Sequence, residues 1–86
     1  MKITVYFKPN SSEESVRLIV NHPFMRSRSK SVSIRMTYSD NKPSIFNKIV
    51  EMVEIFIPER LFVEVPKFFI GELKMLSPQI INVERA

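Results

Sequence analysis

Pro43-Ser44-Ile45-Phe46-Asn47-Lys48-Ile49-Val50-Glu51-Met52-Val53-Glu54-Ile55-Phe56-Ile57-Pro58 is the stretch on which the fold turns. Its apolar residues Ile45, Phe46, Ile49, Val50, Val53, Phe56 and Ile57 recur at three- and four-residue spacing. That spacing makes a wide stripe down one side of a helix. Pro43 suits the first helical position after the turn Ser39-Asp40-Asn41-Lys42, and Pro58 closes the element. Read this way, the stretch sets a helix between earlier and later strands.

On its N-terminal side, Val32, Ile34, Met36 and Tyr38 alternate with Ser31, Ser33, Arg35 and Thr37. Period two with one polar side predicts a strand at a sheet edge, or one with a thinly covered face. An edge over Val32–Tyr38 could pair with a second copy and make a homodimer, with Arg35 opposing uncontrolled pairing. Earlier still, Ile3 to Phe7 reads as a buried strand stopped by Lys8-Pro9-Asn10. Ser11 with Glu14 forms a capping box for a helix whose inner face is Val16, Ile19 and Val20, and Pro23 ends it. On the C-terminal side, Leu61, Val63 and Val65 lead to Pro66, and Lys67–Ile70 reads as a strand. Gly71-Glu72 fits a two-residue hairpin turn, and Leu73–Leu76 the returning strand. Ser77-Pro78 then opens a short helix through Ile80, Ile81 and Val83. The expected order is β-α-β-α-β-β-α.

Eighty-six residues, 44% of them hydrophobic, fit a single packed domain over 1–86. With no cysteine there is no disulfide, no thiolate zinc site and no thiol–disulfide exchange. No run reaches the ~18–20 apolar residues of a bilayer span, since Ile49–Ile57 is broken by Glu51 and Glu54. The run Ile3–Phe7 is too short for a signal peptide, so a cytoplasmic protein without membrane contact is expected. Residues 1–42 carry +5 and residues 43–86 carry −1, so the net +4 sits in the first half, above all in Arg26-Ser27-Arg28-Ser29-Lys30.

Two short motifs resemble the glutaredoxins, a thioredoxin-fold family. Ile3-Thr4-Val5-Tyr6-Phe7-Lys8-Pro9-Asn10 is similar to their first strand and Lys-Pro turn, and Val65-Pro66-Lys67-Phe68-Phe69-Ile70-Gly71 to their Val-Pro segment, strand and turn. The resemblance implies an α/β (α+β) thioredoxin-like domain with a four-stranded mixed sheet flanked by helices. It also implies a cis Pro66 facing the start of the first helix. The family's two cysteine positions fall on Ser11 and Glu14, Glu64 stands where a threonine is usual, and Ser77-Pro78-Gln79 replaces the acids that hold glutathione. Lys8 matches the family's carboxylate-binding lysine. What carries over is a degenerate rim of Lys8, Ser11, Glu14, Val65 and Pro66, without redox chemistry.

Among candidate sites, Ser11 reads as a helix cap rather than a nucleophile, because no base can be placed beside it. Glu13 and Glu14 oppose anion binding at that helix start. His22 reads as a surface or capping residue rather than a ligand or base. No catalytic residue, metal site or cofactor is expected. Phe24 and Met25 read as core beneath the basic loop. Arg26, Arg28, Lys30 and Arg35 form the best candidate surface for an anion or a partner. The first expectation is a non-enzymatic module that recognises a protein. The alternatives are a small nucleic-acid-binding protein using residues 26–35, where phosphate contacts would outweigh base reading, and a serine-type glutathione-binding protein.

Overall fold

A computed structural model describes residues 1–39 and 49–86. The helix start at Pro43 with Ile45 and Phe46, and most of the turn before it, lie outside the described residues. The elements are strand β1 (Lys2–Phe7), helices α1 (Glu14–Val20) and α2 (Pro23–Ser27), strands β2 (Ser33–Tyr38) and β3 (Val50–Phe56), a 3-10 turn (Glu59–Glu64), helix α3 (Phe69–Lys74) and strand β4 (Ile80–Arg85). The protein is α+β, with one four-stranded sheet in the order β2-β3-β1-β4. Every neighbouring pair is antiparallel. Since β3 lies between β1 and β2, those two run in the same direction, a split β-α-β connection.

Alternation along the strands builds the core. Ile3, Val5 and Phe7 of β1 point to one face with Val53 and Ile55 of β3 and Val83 of β4. Val16 and Ile19 of α1, Phe24 and Met25 of α2, and Phe69 and Leu73 of α3 belong to the same buried cluster. The opposite face carries Lys2, Thr4, Tyr6, Arg35, Met52, Glu54 and Phe56, and no described helix packs there. The N-terminal strand, the inward Val16 and Ile19, the buried Phe24 and Met25, and the edge position of β2 all match expectation. Val20 does not: it is exposed, and Ser15 takes the inner place.

Four elements differ from the sequence reading. Residues 50–56 form a strand, not a helix, because β3 pairs residue for residue with β1 and β2. Glu51 is an extra residue opposite the Thr37–Tyr38 step, where the register slips by one. That bulge places Val50 and Val53 on the same face at a spacing of three, which imitates helical periodicity. The segment 69–74 is a helix rather than a strand and hairpin. Phe69 and Leu73 are buried four residues apart, and Gly71 sits inside the helix without a positive φ. Residues 80–85 are β4 rather than a final helix. Ser77 Oγ accepts from Gln79 N at 3.1 Å, and Ile80 N donates to Ser77 O at 3.2 Å, so Ser77-Pro78 makes a turn. His22 before Pro23 is extended and α1 ends at Val20, as expected, but Pro23 then opens a second helix, α2, that the sequence reading lacked. The sheet is antiparallel throughout, not mixed, because β2 pairs antiparallel with β3 rather than parallel with β1.

Candidate functional site

The rim residues do not come together. Lys8 and Ser11 follow the C-terminal end of β1, whereas Val65 and Pro66 line a hollow with Met1 and Ile3 at its other end. Six residues at ~3.3 Å each put roughly 20 Å of strand between the two groups. The Val65–Pro66 bond is trans. Ser11 is not the cap of α1, whose N-cap is Glu13 with no side-chain bond. Its buried Oγ lies 2.6 Å from Lys8 O and 2.9 Å from Gln79 Oε1, and its single proton serves one of them at a time. Ser11 O accepts from Val50 N at 3.0 Å, so this residue knots the end of β1 to β3 and to the entry of β4. Glu14 is exposed on the first turn of α1.

The four cations are also dispersed. Arg26 is exposed on α2, Lys30 is exposed in the turn after it, and Arg28 is ion-paired with Glu64. Arg35 lies on the open sheet face, where Nε and Nη2 donate to Glu54 Oε1 at 2.9 and 2.6 Å. Its guanidinium stands 5.6 Å from the Phe56 ring centroid. Lys2 Nζ approaches the other oxygen of Glu54 at 3.4 Å. The centre of that face is thus an ion triad of two cations on one carboxylate.

The geometry instead draws attention to α3. His22 is buried, against the surface reading, and it caps α2 as the capping alternative requires: Nδ1 accepts from Phe24 N at 3.1 Å. An accepting Nδ1 leaves the proton on Nε2, which donates to Glu72 Oε1 at 2.8 Å. Both ring nitrogens are therefore occupied, and neither can serve a ligand. The ring also meets Phe69 edge-on at 4.8 Å, and Phe24 meets Phe69 at 5.2 Å. These contacts fix α3 against the start of α2.

Between the two helices runs a groove of about 480 Å³ lined by His22, Pro23, Phe68, Gly71, Glu72, Met75 and Leu76. Phe68 is 68% exposed and Met75 is 86% exposed, so two large apolar side chains stand in water on one face. Phe68 and Gly71 also border a second hollow of about 290 Å³ that includes Ile3, Pro66, Lys67 and Arg85. Lys67 Nζ sits 5.4 Å from the Phe68 ring centroid. Gly71 is the chain's one glycine, and a Cβ built on it meets nothing within 4 Å. Sequence reasoning missed this site because it assigned Phe68 to a strand and Gly71 to a turn. The spacing Phe69, Leu73, Leu76 was the available sign of a helix whose other side is Phe68, Gly71 and Met75.

Among the described residues no group of His, Asp or Glu is placed to hold a metal ion, and no helix is long and apolar enough to cross a membrane. Comparison with known proteins finds no matching family model, no matching curated protein and no matching solved structure.

Proposed function

We propose that this chain is a non-enzymatic recognition module that docks an acidic segment of another protein on the exposed face of α3. The observation that carries this reading is the pairing of Phe68 and Met75 along one groove. Contiguous exposed apolar surface of this kind marks interaction sites far more often than scattered single residues do. Lys67 stands beside Phe68 and, with Arg85, lines the hollow that Phe68 and Gly71 also border, so this side of the site is basic. The acid that lines the groove, Glu72, is engaged by His22. At the Phe68 end, Lys67 and Arg85 favour carboxylates on the partner.

Site-specific photo-cross-linking in cells that naturally contain the protein tests the reading. A cross-linkable residue at position 68 or 75 should give a discrete protein adduct, and one at Thr37 or Tyr6 on the open sheet face should give none. Adducts from the sheet face alone would reverse the assignment.

Nucleic-acid binding by the 26–35 region draws less support, since Arg28 and Arg35 are committed to carboxylates. A steep loss of RNA or DNA affinity with salt would revive it. Homodimerisation through β2 is checked by sedimentation, and glutathione binding by titration against Lys8→Ala. A glutaredoxin-like ancestry, with its thioredoxin-like topology, rests on the two sequence matches alone and takes no support from the strand order.

A further inference from the structure

Gly71 is unexplained by anything inside the chain. Its φ is not positive, so the backbone does not require glycine there. Nothing lies within 4 Å of a Cβ built on it, so packing does not require glycine either. A glycine in a helix interior nevertheless weakens the helix relative to alanine. The gap in the side-chain surface has a use only if something outside the chain approaches the backbone at that point.

The surroundings define the shape of what approaches. Phe68 lies three residues before Gly71 and Met75 four residues after it, on the same side of α3. Seven residues at 1.5 Å per residue separate these two posts by about 10 Å along the axis. Helices pack with their axes about 8–10 Å apart and are about 10–12 Å across with their side chains. The saddle between the posts therefore admits one side chain of a helix lying across α3, with its nearest approach over Gly71. Lys67 and Arg85 border the crossing on the Phe68 side, and neither has an ion-pair partner among the described residues. An incoming strand would leave its own backbone groups unpaired against a helix face, whereas a helix brings them already satisfied.

We propose that the occupant of the α3 saddle is an acidic amphipathic helix of a partner protein, crossing at Gly71 and seating one apolar side chain between Phe68 and Met75. This inference rests on the recognition reading above and gives its partner a chemistry and a geometry.

The test uses the full chain and synthetic helical peptides of about 18 residues, long enough to populate helix in isolation. One carries a leucine stripe flanked by glutamates, a second has the glutamates replaced by lysines, and a third has a central proline. The acidic peptide is expected to bind, the basic one at least about tenfold more weakly, and the proline-broken one to lose most of its affinity. Gly71→Leu should weaken the acidic peptide by about tenfold or more while the thermal midpoint stays the same or rises. Gly71→Ala should fall between the two. Equal binding of acidic and basic peptides, or full affinity in Gly71→Leu, overturns the inference. So does a dimer in sedimentation that Gly71→Leu abolishes, since the occupant is then a second copy. If cellular adducts at positions 68 and 75 persist undiminished in Gly71→Leu, the helix crossing is wrong and the recognition reading stands. If no adducts form at those positions, the recognition reading fails and this inference fails with it.

Discussion

Glu54 shows how a single residue is held on an otherwise open surface. It is 4% exposed although no described helix covers its side of the sheet, because Arg35 and Lys2 lie over it from the neighbouring strands. The hydrogen bond from Arg35 is the main cause that holds its carboxyl below the ordinary value of 4.5; desolvation works the other way, and Lys2 adds to the lowering. A carboxyl depressed in the folded state contributes stability that is present above its unfolded pKa and is lost as the pH falls through the folded value. Wild-type protein should therefore keep this contribution down to about pH 4.5 and lose it on further acidification. Glu54→Gln should show a flatter stability profile below that pH in denaturant titrations. An identical profile in the two proteins would mean that the triad does not couple to folding. Tyr6 behaves in the opposite sense on the same face: the charge of Glu84, which its hydroxyl contacts at 3.3 Å, pushes the phenol up and keeps it neutral.

At the scale of elements, α3 is short and carries a helix-weakening glycine at its centre. Gly71→Ala should raise global stability by about 0.5–1 kcal/mol, since the added methyl enters open space. Chemical denaturation reads this directly, and a decrease would show that the backbone at that position is strained in a way the dihedrals do not reveal. The same elements explain what was legible beforehand. β1 and β2 could be read because β-branched runs and strict alternation leave little ambiguity at Ile3–Phe7 and Ile34–Tyr38. β3 could not, because the extra residue Glu51 converts a two-residue period into a three-residue one just where Val50 follows Ile49. Five β-branched residues among positions 49–57 were the opposing signal, and they were outweighed by apparent helical spacing. Lys67–Leu76 failed in the reverse direction: adjacent aromatics and a Gly-Glu pair imitate a hairpin, while the deciding contacts of Phe69 with His22 and Phe24 are tertiary. Of the candidate site, the basic run near residues 26–30 was the feature singled out, and it lies outside the lining of the groove. The apolar groove was not legible, because exposure depends on which side of α3 faces the core.

For the molecule as a whole, the sheet divides two kinds of surface. The open face balances its charges, with Lys2 and Arg35 set against Glu54 and Glu84. The helical side carries cations without ion-pair partners among the described residues, Arg17, Arg26, Lys67 and Lys74 among them. Of these, Lys67 stands beside the exposed Phe68, so charge and apolar surface meet there. The exposure of Met75 has a consequence of its own in a protein with no cysteine to act as a sacrificial thiol. Met25 is buried, and Met1, Met36 and Met52 are partly shielded, so dilute hydrogen peroxide should convert Met75 to its sulfoxide before any other methionine. Peptide mapping by mass spectrometry can follow the order of oxidation. The polar, chiral S=O group would then stand where the proposed docking needs an apolar post, so on that proposal an oxidising environment would silence recognition without unfolding the domain.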